Sequence, residues 1–186
     1  MKKLHLLACT LTVAVAIPAV AGELQGVTMA DKTSVEGKDL VLNGMGLRTK
    51  AFVKVYVAGL YAETKSTDAA KIIATDAARR VELVVLRDLG KKKISDAIEE
   101  GFEKNSKTQL PKLRPRLDQF VAAIPDLKEN EKLTFTYVPG KGTVVAKGGA
   151  ERAVIPGKDF ADALFSVWIG ASPADAKLKK GMLGTM

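Results

Sequence analysis

The segment from Leu42 to Glu63 reads LNGMGLRTKAFVKVYVAGLYAE and contains the clearest strand signal in the 186-residue chain. Its second half, Phe52 to Tyr61, is rich in β-branched and aromatic residues, which favour a strand. Arg48 lies between a Gly-Met-Gly turn and this strand. Because burying an unpaired arginine is costly, we expect Arg48 either to be solvated at a strand end or to pair with an anion.

Further strands are predicted on both sides of this segment. Residues 24–42 indicate one or two strands around a turn at Glu36–Asp39. Residues 80–86 are apolar at nearly every position, which favours a central strand covered on both faces. From Lys132 apolar and polar residues alternate, and a Pro-Gly turn within Val138–Lys141 is typical of an antiparallel meander that continues to Ile155.

Helices are predicted between and after these strands. Apolar residues at helical spacing predict two helices between Ile94 and Ile124 and a third that ends at Gly170. A short helix is predicted after Ser66–Asp68, and Ser172-Pro173 is predicted to begin the last helix. Strands, a helical pair, strands and a second helical pair indicate one α+β domain, with helices gathered on one face of an antiparallel sheet.

The N-terminus has the pattern of a secretory signal. Met1–Lys3 is basic, Leu4–Ile17 is apolar, and Ala19–Ala21 is a small-residue cleavage site. We therefore expect a signal peptide at residues 1–21, cut after Ala21, and a periplasmic or secreted protein formed by a single domain of residues 22–186. No other segment is long and apolar enough to predict a membrane helix.

Cleavage after Ala21 would remove Cys9 and His5, the only cysteine and the only histidine. This excludes disulfides, zinc sites built from cysteine or histidine, catalytic triads and histidine general bases from the mature chain. We expect neither a metal site nor a cofactor.

The charge of the chain is basic but mixed. The formal net charge is +8, and loss of Lys2 and Lys3 lowers it by two. Lysine clusters such as Lys91–Lys93 are typical of solvated helix surfaces, although they could also attract anionic lipids or ligands. The sequence has no nucleic-acid-binding motif, so we expect no nucleic-acid partner.

The opening segment predicts a candidate anion site. With a tight turn at Thr49–Ala51, Arg48 would lie opposite Phe52, and Gly44 would lie opposite Tyr56. Arg48 and Tyr56 would then share a sheet face with Cα atoms about 13 Å apart, and their long side chains could grip one small anionic group. Gly44 and Gly46 would leave space for a ligand, since a glycine in a strand often marks a close approach.

The same residues also have a purely structural interpretation. Tyrosines such as Tyr56 and Tyr61 are common in cores and interfaces. Gly-x-Gly is common in turns, and an arginine at the end of a hairpin is usually solvated. The pattern alone leaves both interpretations open.

Three stretches together resemble the chalcone isomerase-like family. They are Gly44–Arg48 followed by Phe52–Tyr61, the middle helical stretch Ile94–Ile98, and the C-terminal stretch Asp159–Gly170 followed by Ser172-Pro173. The resemblance covers essentially the whole chain after residue 21. It implies an open-faced β-sandwich of the chalcone isomerase type, in which helices cover one face of a large antiparallel sheet and a ligand cleft lies between the layers.

The resemblance also bears on activity. The family includes plant isomerases that close chalcones to flavanones, fatty-acid-binding members, and members without known catalysis. Arg48 matches the family's ligand-gripping arginine, and Tyr56 matches a position that is threonine in the isomerases and tyrosine in the fatty-acid-binding members. Ile94 and Gly101 replace an isomerase tyrosine and asparagine, and a C-terminal hydroxyl position falls on Val167 or Ser166.

These observations rank three hypotheses. The first is a non-catalytic protein that binds an apolar carboxylate, such as a fatty acid, through Arg48 and Tyr56. The second is an isomerase or intramolecular lyase of the chalcone isomerase type, in which Arg48 stabilises a developing anion and Tyr56 handles proton transfer. The third is a structural protein whose cleft is filled by its own side chains.

Overall fold

The computed structural model describes residues 20–186, so nearly all of the predicted signal peptide lies outside the described part of the chain. The strands, in chain order, are β1 (Val20–Leu24), β2 (Val27–Ala30), β3 (Lys32–Val35), β4 (Lys38–Lys50), β5 (Val53–Ala62), β6 (Arg79–Val85), β7 (Lys132–Val138), β8 (Gly142–Lys147) and β9 (Ala150–Ile155). Strands β3 to β9 form one antiparallel sheet in which each strand pairs with its sequence neighbours, and β1 and β2 form a separate hairpin.

Five helices are inserted into this meander or follow it. They are α1 (Ala69–Ala74), α2 (Lys91–Ser106), α3 (Leu110–Ala123), α4 (Lys158–Ile169) and α5 (Ala176–Met182). α1 connects β5 to β6, α2 and α3 connect β6 to β7, and α4 and α5 follow β9. The α+β architecture, with helices packed against one face of a large antiparallel sheet, confirms the predicted fold class.

The helices and the sheet share one large apolar core. Strand β6 is the fourth of seven strands, as its apolar sequence predicted, and six of its seven residues are buried. Side chains from β5 to β8 meet the inner faces of α2, α3 and α4 in this core. Aromatic rings join the layers at its centre, where Phe135 of β7 contacts Phe120 of α3 and Trp168 of α4 at centroid distances of 5.2 and 5.5 Å.

The opposite face of the sheet is covered only in part. The β1–β2 hairpin packs there, and Val27 and Met29 join Leu40, Leu42 and other side chains in a second, smaller core. Tyr61 belongs to this second core, and its hydroxyl donates a hydrogen bond to the Ala30 carbonyl at 3.0 Å. Tyr61 therefore supports the structural interpretation, because it lies on the face away from the helices.

The last helix begins later than the sequence predicted. The backbone N–H of Ser172 donates to the side-chain oxygen of Asn105 at 2.9 Å, and the Ser172 carbonyl accepts from the amide nitrogen of the same side chain. These contacts bind the segment to α2 instead of starting a helix. Asp175 is the true N-cap of α5, since its side chain accepts hydrogen bonds from the backbone N–H groups of Lys177 and Leu178.

None of the helices in residues 20–186 is long and apolar enough to cross a membrane.

Candidate functional site

Arg48 and Tyr56 are direct cross-strand partners on β4 and β5. Their Cα atoms are thus roughly 5 Å apart by sheet geometry, and the predicted spacing of about 13 Å was wrong. The predicted shared face is correct, because residues directly opposite each other point to the same side.

The register error has a local cause. The hairpin turns through two residues, Ala51 and Phe52, with Lys50 paired to Val53. Both turn residues have positive φ, +47° and +67°, which is the signature of a type I′ turn. A register shift between Arg48 and Thr49 moves the pairing by one more residue. Neither turn residue is a glycine or an asparagine, so the usual sequence signal for this turn is missing.

The Arg48 guanidinium forms hydrogen bonds through one nitrogen only. Its Nη1 donates to the Thr49 carbonyl at 3.1 Å and to Asp175 Oδ2 at 3.3 Å. Within residues 20–186, Nε and Nη2 have no hydrogen-bond partner, while the side chain is only 19% exposed. Since guanidinium carries five N–H donors, Arg48 retains donors for an additional anion.

Asp175 holds Arg48 in place. One carboxylate oxygen caps α5, and the other accepts from Arg48 and, at 3.5 Å, from the Thr49 backbone N–H. Burial raises the pKa of this carboxyl, but backbone hydrogen bonds from Leu178, Lys177 and Thr49 and the charge of Arg48 outweigh it, and the pKa is lowered overall. The carboxylate is therefore ionised at neutral pH.

Tyr56 is oriented by the indole of Trp168. The Trp168 Nε1–H donates to the Tyr56 hydroxyl oxygen at 3.1 Å. Burial raises the pKa of Tyr56, and this exceeds the opposing effects of the Trp168 hydrogen bond and the Arg48 charge. The phenol is thus neutral at ordinary pH, and no hydrogen bond within the described residues uses its proton. The hydroxyl is available as a donor next to Arg48.

A cleft of about 490 Å³ lies beside these two residues, between the sheet and the helices. Its walls come from β4, β5 and β6 on one side and from α2 and α4 on the other. Aliphatic side chains form the largest group in the wall, from Val53, Val55, Leu83, Leu89, Ile94, Ala97, Ile98, Leu127, Val167 and Ala174. Charged side chains of the hairpin tip, of the segment after β6 and of α2 also line the cleft. A cleft of this size that combines aliphatic and polar groups is typical of a small-molecule site.

The predicted role of Gly44 and Gly46 was wrong. A Cβ atom at either position would clash with the backbone carbonyl of Gly181 or of Leu178, both in α5. A Cβ at Gly181 would in turn clash with the backbone of β4. The three glycines therefore let α5 pack directly on β4, which places Asp175 next to Arg48.

The positions that the resemblance matches to isomerase hydroxyl and amide groups offer no such group to the cleft. Ile94 lines the cleft, and Gly101 packs against Val167. Of the two candidate hydroxyl positions, Val167 lines the cleft, whereas the Ser166 hydroxyl donates to the Asp162 carbonyl within α4. Tyr56 is the one hydroxyl-bearing residue of the cleft wall in the part of the chain that the structure describes.

Two residues of the site were not identified from the sequence. The sequence pattern places Trp168 only in the predicted helix that ends at Gly170. It indicates no role for Asp175. Trp168 contacts Tyr56 across 112 residues of chain and Asp175 contacts Arg48 across 127, and no local pattern encodes such contacts. Aspartate is one of the preferred residues at a helix N-cap. Asp175, directly before α5, was therefore the available sequence signal for the start of this helix.

A larger groove, of about 610 Å³, lies on the opposite face of the sheet. Its central charged groups are already paired: Arg80 donates to Thr136 and Thr33 at 2.8 and 2.9 Å, and Glu82 forms an ion pair with Lys132 at 2.7 Å. Residues 20–186 contain no cluster of acidic, histidine or cysteine side chains that could hold a metal ion. The cleft beside Arg48 and Tyr56 is therefore the better candidate site.

Comparison with curated proteins gives no significant match. Among solved structures, the Arabidopsis thaliana fatty-acid binding protein is similar, with a TM-score of 0.65 and 18% sequence identity. The match covers 85% of this chain and 92% of that one. At this identity the similarity concerns the fold.

The family described as chalcone isomerase-like matches residues 21–184. This confirms the resemblance noted in the β4–β5 hairpin and in the two helical stretches. The chain belongs to the chalcone isomerase-like family.

Proposed function

We propose that this protein binds a fatty acid or a similar apolar carboxylate in the cleft and catalyses no reaction on it. The observation that carries the proposal is the direct pairing of Arg48 with Tyr56 beside an aliphatic cleft. Export to the periplasm or the cell exterior is part of the same proposal and is supported by the signal-like sequence of residues 1–21.

The polar end of the cleft suits a carboxylate. Arg48 Nε and Nη2 and the Tyr56 hydroxyl proton have no hydrogen-bond partner among residues 20–186. Charge-assisted hydrogen bonds from guanidinium to carboxylate are short and about twice as strong as neutral ones. Because Asp175 and Trp168 orient the two side chains, little conformational freedom would be lost when the ligand binds.

The rest of the cleft suits an apolar tail. A volume of about 490 Å³ lies within the usual range for small-molecule sites. Each methylene group that moves from water into the aliphatic wall contributes about 0.8 kcal/mol. The tail would therefore provide most of the affinity, and the polar end would select for a carboxylate.

A binding role agrees with the chemistry of Tyr56. Its raised pKa makes the phenol a hydrogen-bond donor at neutral pH and a poor general base. Ile94 lines the cleft at a position that the family resemblance matches to an isomerase tyrosine. The similarity to a protein described as fatty-acid binding gives further support.

The experiment is a titration with palmitate, followed through the fluorescence of Trp168, the single tryptophan of the chain and the partner of Tyr56. Loss of a hydrogen bond to a charged group costs about 1.5–3 kcal/mol, so Arg48→Ala should weaken binding by roughly tenfold to a hundredfold. Tyr56→Phe should weaken it by about fivefold. Arg114→Ala, on the exposed surface of α3, is the matched control and should bind as the wild type does.

Equal affinity of the wild type and Arg48→Ala would refute the proposed site. Loss of chalcone absorbance faster than in buffer would refute the non-catalytic assignment. N-terminal mass analysis of protein recovered from outside the cytoplasm tests export, and a mature chain that begins at Gly22 is the expected result.

A further inference from the structure

The tip of the β4–β5 hairpin presents a fully exposed aromatic residue. Phe52 is 102% exposed, and Val53 beside it is 39% exposed. Within residues 20–186 the one other large apolar side chain with such exposure is Met186, close to the C-terminus. At this exposure the Phe52 ring contributes nothing to the core formed by residues 20–186.

The backbone of the turn makes this residue choice more unusual. Ala51 and Phe52 both have positive φ, where a type I′ turn favours Asn-Gly. A bulky residue with positive φ is a true outlier among folded proteins. Phe52 therefore weakens the turn, and its exposed side chain makes no compensating contact with residues 20–186.

The hairpin tip lies at the entrance of the proposed ligand cleft. Lys50, Ala51 and Val53, the neighbours of Phe52, are all part of the cleft wall. Trp168 and Tyr56 lie further along the same wall, on the β5 and α4 side. A surface that received Phe52 would thus also face the opening of the cleft.

Acidic and basic side chains both line the entrance of the cleft, but only the acidic ones are all paired within the described residues. Three acidic side chains line it, and each forms an ion pair with a lysine: Asp88 with Lys128, Asp96 with Lys92, and Glu100 with Lys104.

Three cations of the same wall, Lys50, Arg87 and Lys93, form no ion pair with any described residue. The hairpin tip and these three cations are called the entrance surface below. It combines one exposed aromatic ring with uncompensated positive charge.

We propose that the entrance surface docks on an anionic lipid bilayer, with Phe52 inserted at the headgroup level and Lys50, Arg87 and Lys93 near the lipid phosphates. The inference rests on the proposed function, because it lets an apolar ligand pass between bilayer and cleft without crossing water. Phenylalanine is among the apolar anchors of interfacial membrane-binding segments, and each cation near an anionic leaflet strengthens binding by roughly fivefold.

A bilayer fits this surface better than a protein partner does. A specific protein interface needs about 1,000 Å² of buried area with complementary shape. A single protruding ring with dispersed cations does not provide such an interface. It does match a soft anionic surface, where charge and one apolar anchor act together.

The test is co-sedimentation with vesicles of phosphatidylcholine alone and of phosphatidylcholine mixed with phosphatidylglycerol. The wild type should sediment with the anionic vesicles only, and salt at about 1 M, which reduces the screening length to about 3 Å, should release it. The turn variant Phe52→Gly installs the favoured glycine at the second turn position and changes no residue of the cleft wall, so a loss of folding cannot explain a loss of binding. It should bind at least tenfold more weakly.

Three further variants separate charge from exposure. Lys50→Glu replaces an entrance cation by an acid and should weaken binding at least as much as the turn variant does. Lys65→Glu, beyond the opposite end of β5, and Met186→Ser are the matched controls and should sediment like the wild type. Binding by the wild type to neutral and anionic vesicles alike, or unchanged binding by the turn variant, would overturn the proposal.

Failure of this inference is distinguishable from failure of the proposed function. The turn variant is also titrated with palmitate in buffer without vesicles. Wild-type affinity there, with no vesicle binding by the wild type, would overturn the membrane proposal and leave the ligand site standing.

Discussion

Arg48 and Arg79 lie on the same face of the sheet and are both paired with an aspartate, but their surroundings differ. Arg79 begins β6 at the opposite end of the sheet and is 1% exposed. Its Nη2 donates to Asp162, and its Nη1 donates to the carbonyls of Ile72 and Thr75. Its guanidinium is also enclosed by two aromatic rings at 4.7 and 4.8 Å.

Arg48 has the same kind of partner but an open side. Its Nη1 is bound, whereas Nε and Nη2 lie beside an aliphatic cleft with no partner among the described residues. For Arg79, both terminal nitrogens are bound by described residues, and Nε alone has no hydrogen-bond partner among them. The comparison teaches that a buried charge does not by itself mark a ligand site. Hydrogen-bond donors without a partner, next to an apolar cleft, do indicate a ligand site.

The largest expected difference between the two arginines is in stability. Arg79→Met would leave Asp162 and two carbonyls short of a donor and would remove the cation between two rings. We expect the free energy of unfolding to fall by about 3 kcal/mol. Arg48→Ala, the matched variant, should lower it by about 1 kcal/mol or less, because a partly exposed ion pair contributes little.

Urea denaturation of both variants measures this difference. A larger loss of stability for Arg48→Ala than for Arg79→Met would contradict the contrast between a structural and a binding arginine.

Gly46→Ala should displace Asp175, the ion-pair partner of Arg48, while Arg48 itself is unchanged. Its Cβ would lie 2.3 Å from the Leu178 carbonyl oxygen, so α5 and the Asp175 cap must move. We expect a loss of about 2 kcal/mol in the free energy of unfolding, together with weaker palmitate binding.

Gly90→Ala is the control for Gly46→Ala, because its Cβ would have Asp126 Oδ1 at 3.7 Å as its nearest neighbour. Its stability should fall by about 0.5 kcal/mol, the effect of alanine at a helix N-cap. Similar losses for the two variants would argue against close packing of α5 on β4.

Trp168→Phe should moderately weaken the binding of the ligand. The ring is kept against Phe135, but the N–H that orients Tyr56 is lost. Calorimetry with palmitate should show affinity reduced by about fivefold, which corresponds to about 1 kcal/mol for one hydrogen bond.

A double-mutant cycle sharpens this prediction. If Trp168 acts through Tyr56, Trp168→Phe combined with Tyr56→Phe should cost no more affinity than Tyr56→Phe alone. Fully additive losses would show that Trp168 contacts the ligand independently.

The smallest expected effect is the pH dependence of the free energy of unfolding that Asp175 contributes. The pKa of Asp175 is lowered in the folded protein, so the carboxylate contributes stability above the unfolded-state pKa of about 3.9. This contribution is lost as the pH falls through the lower, folded-state pKa.

Asp175→Asn keeps a good N-cap residue and removes only the charge. Urea denaturation should therefore show the wild type more stable than Asp175→Asn at neutral pH, with the difference disappearing in strong acid. A difference that stays constant down to strong acid would show that the charge of Asp175 is not involved.

Most of the fold could be predicted from local sequence, because each strand and helix has its own pattern. Alternating or β-branched residues mark β5, β6 and β7, and helical spacing marks α2 to α4. The position of β6 at the centre followed from its nearly uniform apolar composition.

The site could be predicted only in part. The shared sheet face of Arg48 and Tyr56 could be predicted, but their direct pairing could not, because it depends on a two-residue turn without the usual glycine or asparagine. The function of Gly44 and Gly46 depends on α5, which is more than 120 residues away in the chain. Contacts of this length are set by packing, and no local pattern records them.

The order of the strands has a consequence for folding. In the main sheet every strand pairs with its neighbour in sequence, and within the described chain the longest connection between paired strands is residues 86–131, from β6 to β7. Hairpins with short loops close quickly, while a long connection delays pairing. We therefore expect β3–β5 and β7–β9 to form as separate local units. Their joining through β6 and β7 brings α2 over the sheet, so the wall of the cleft is completed only in the last step.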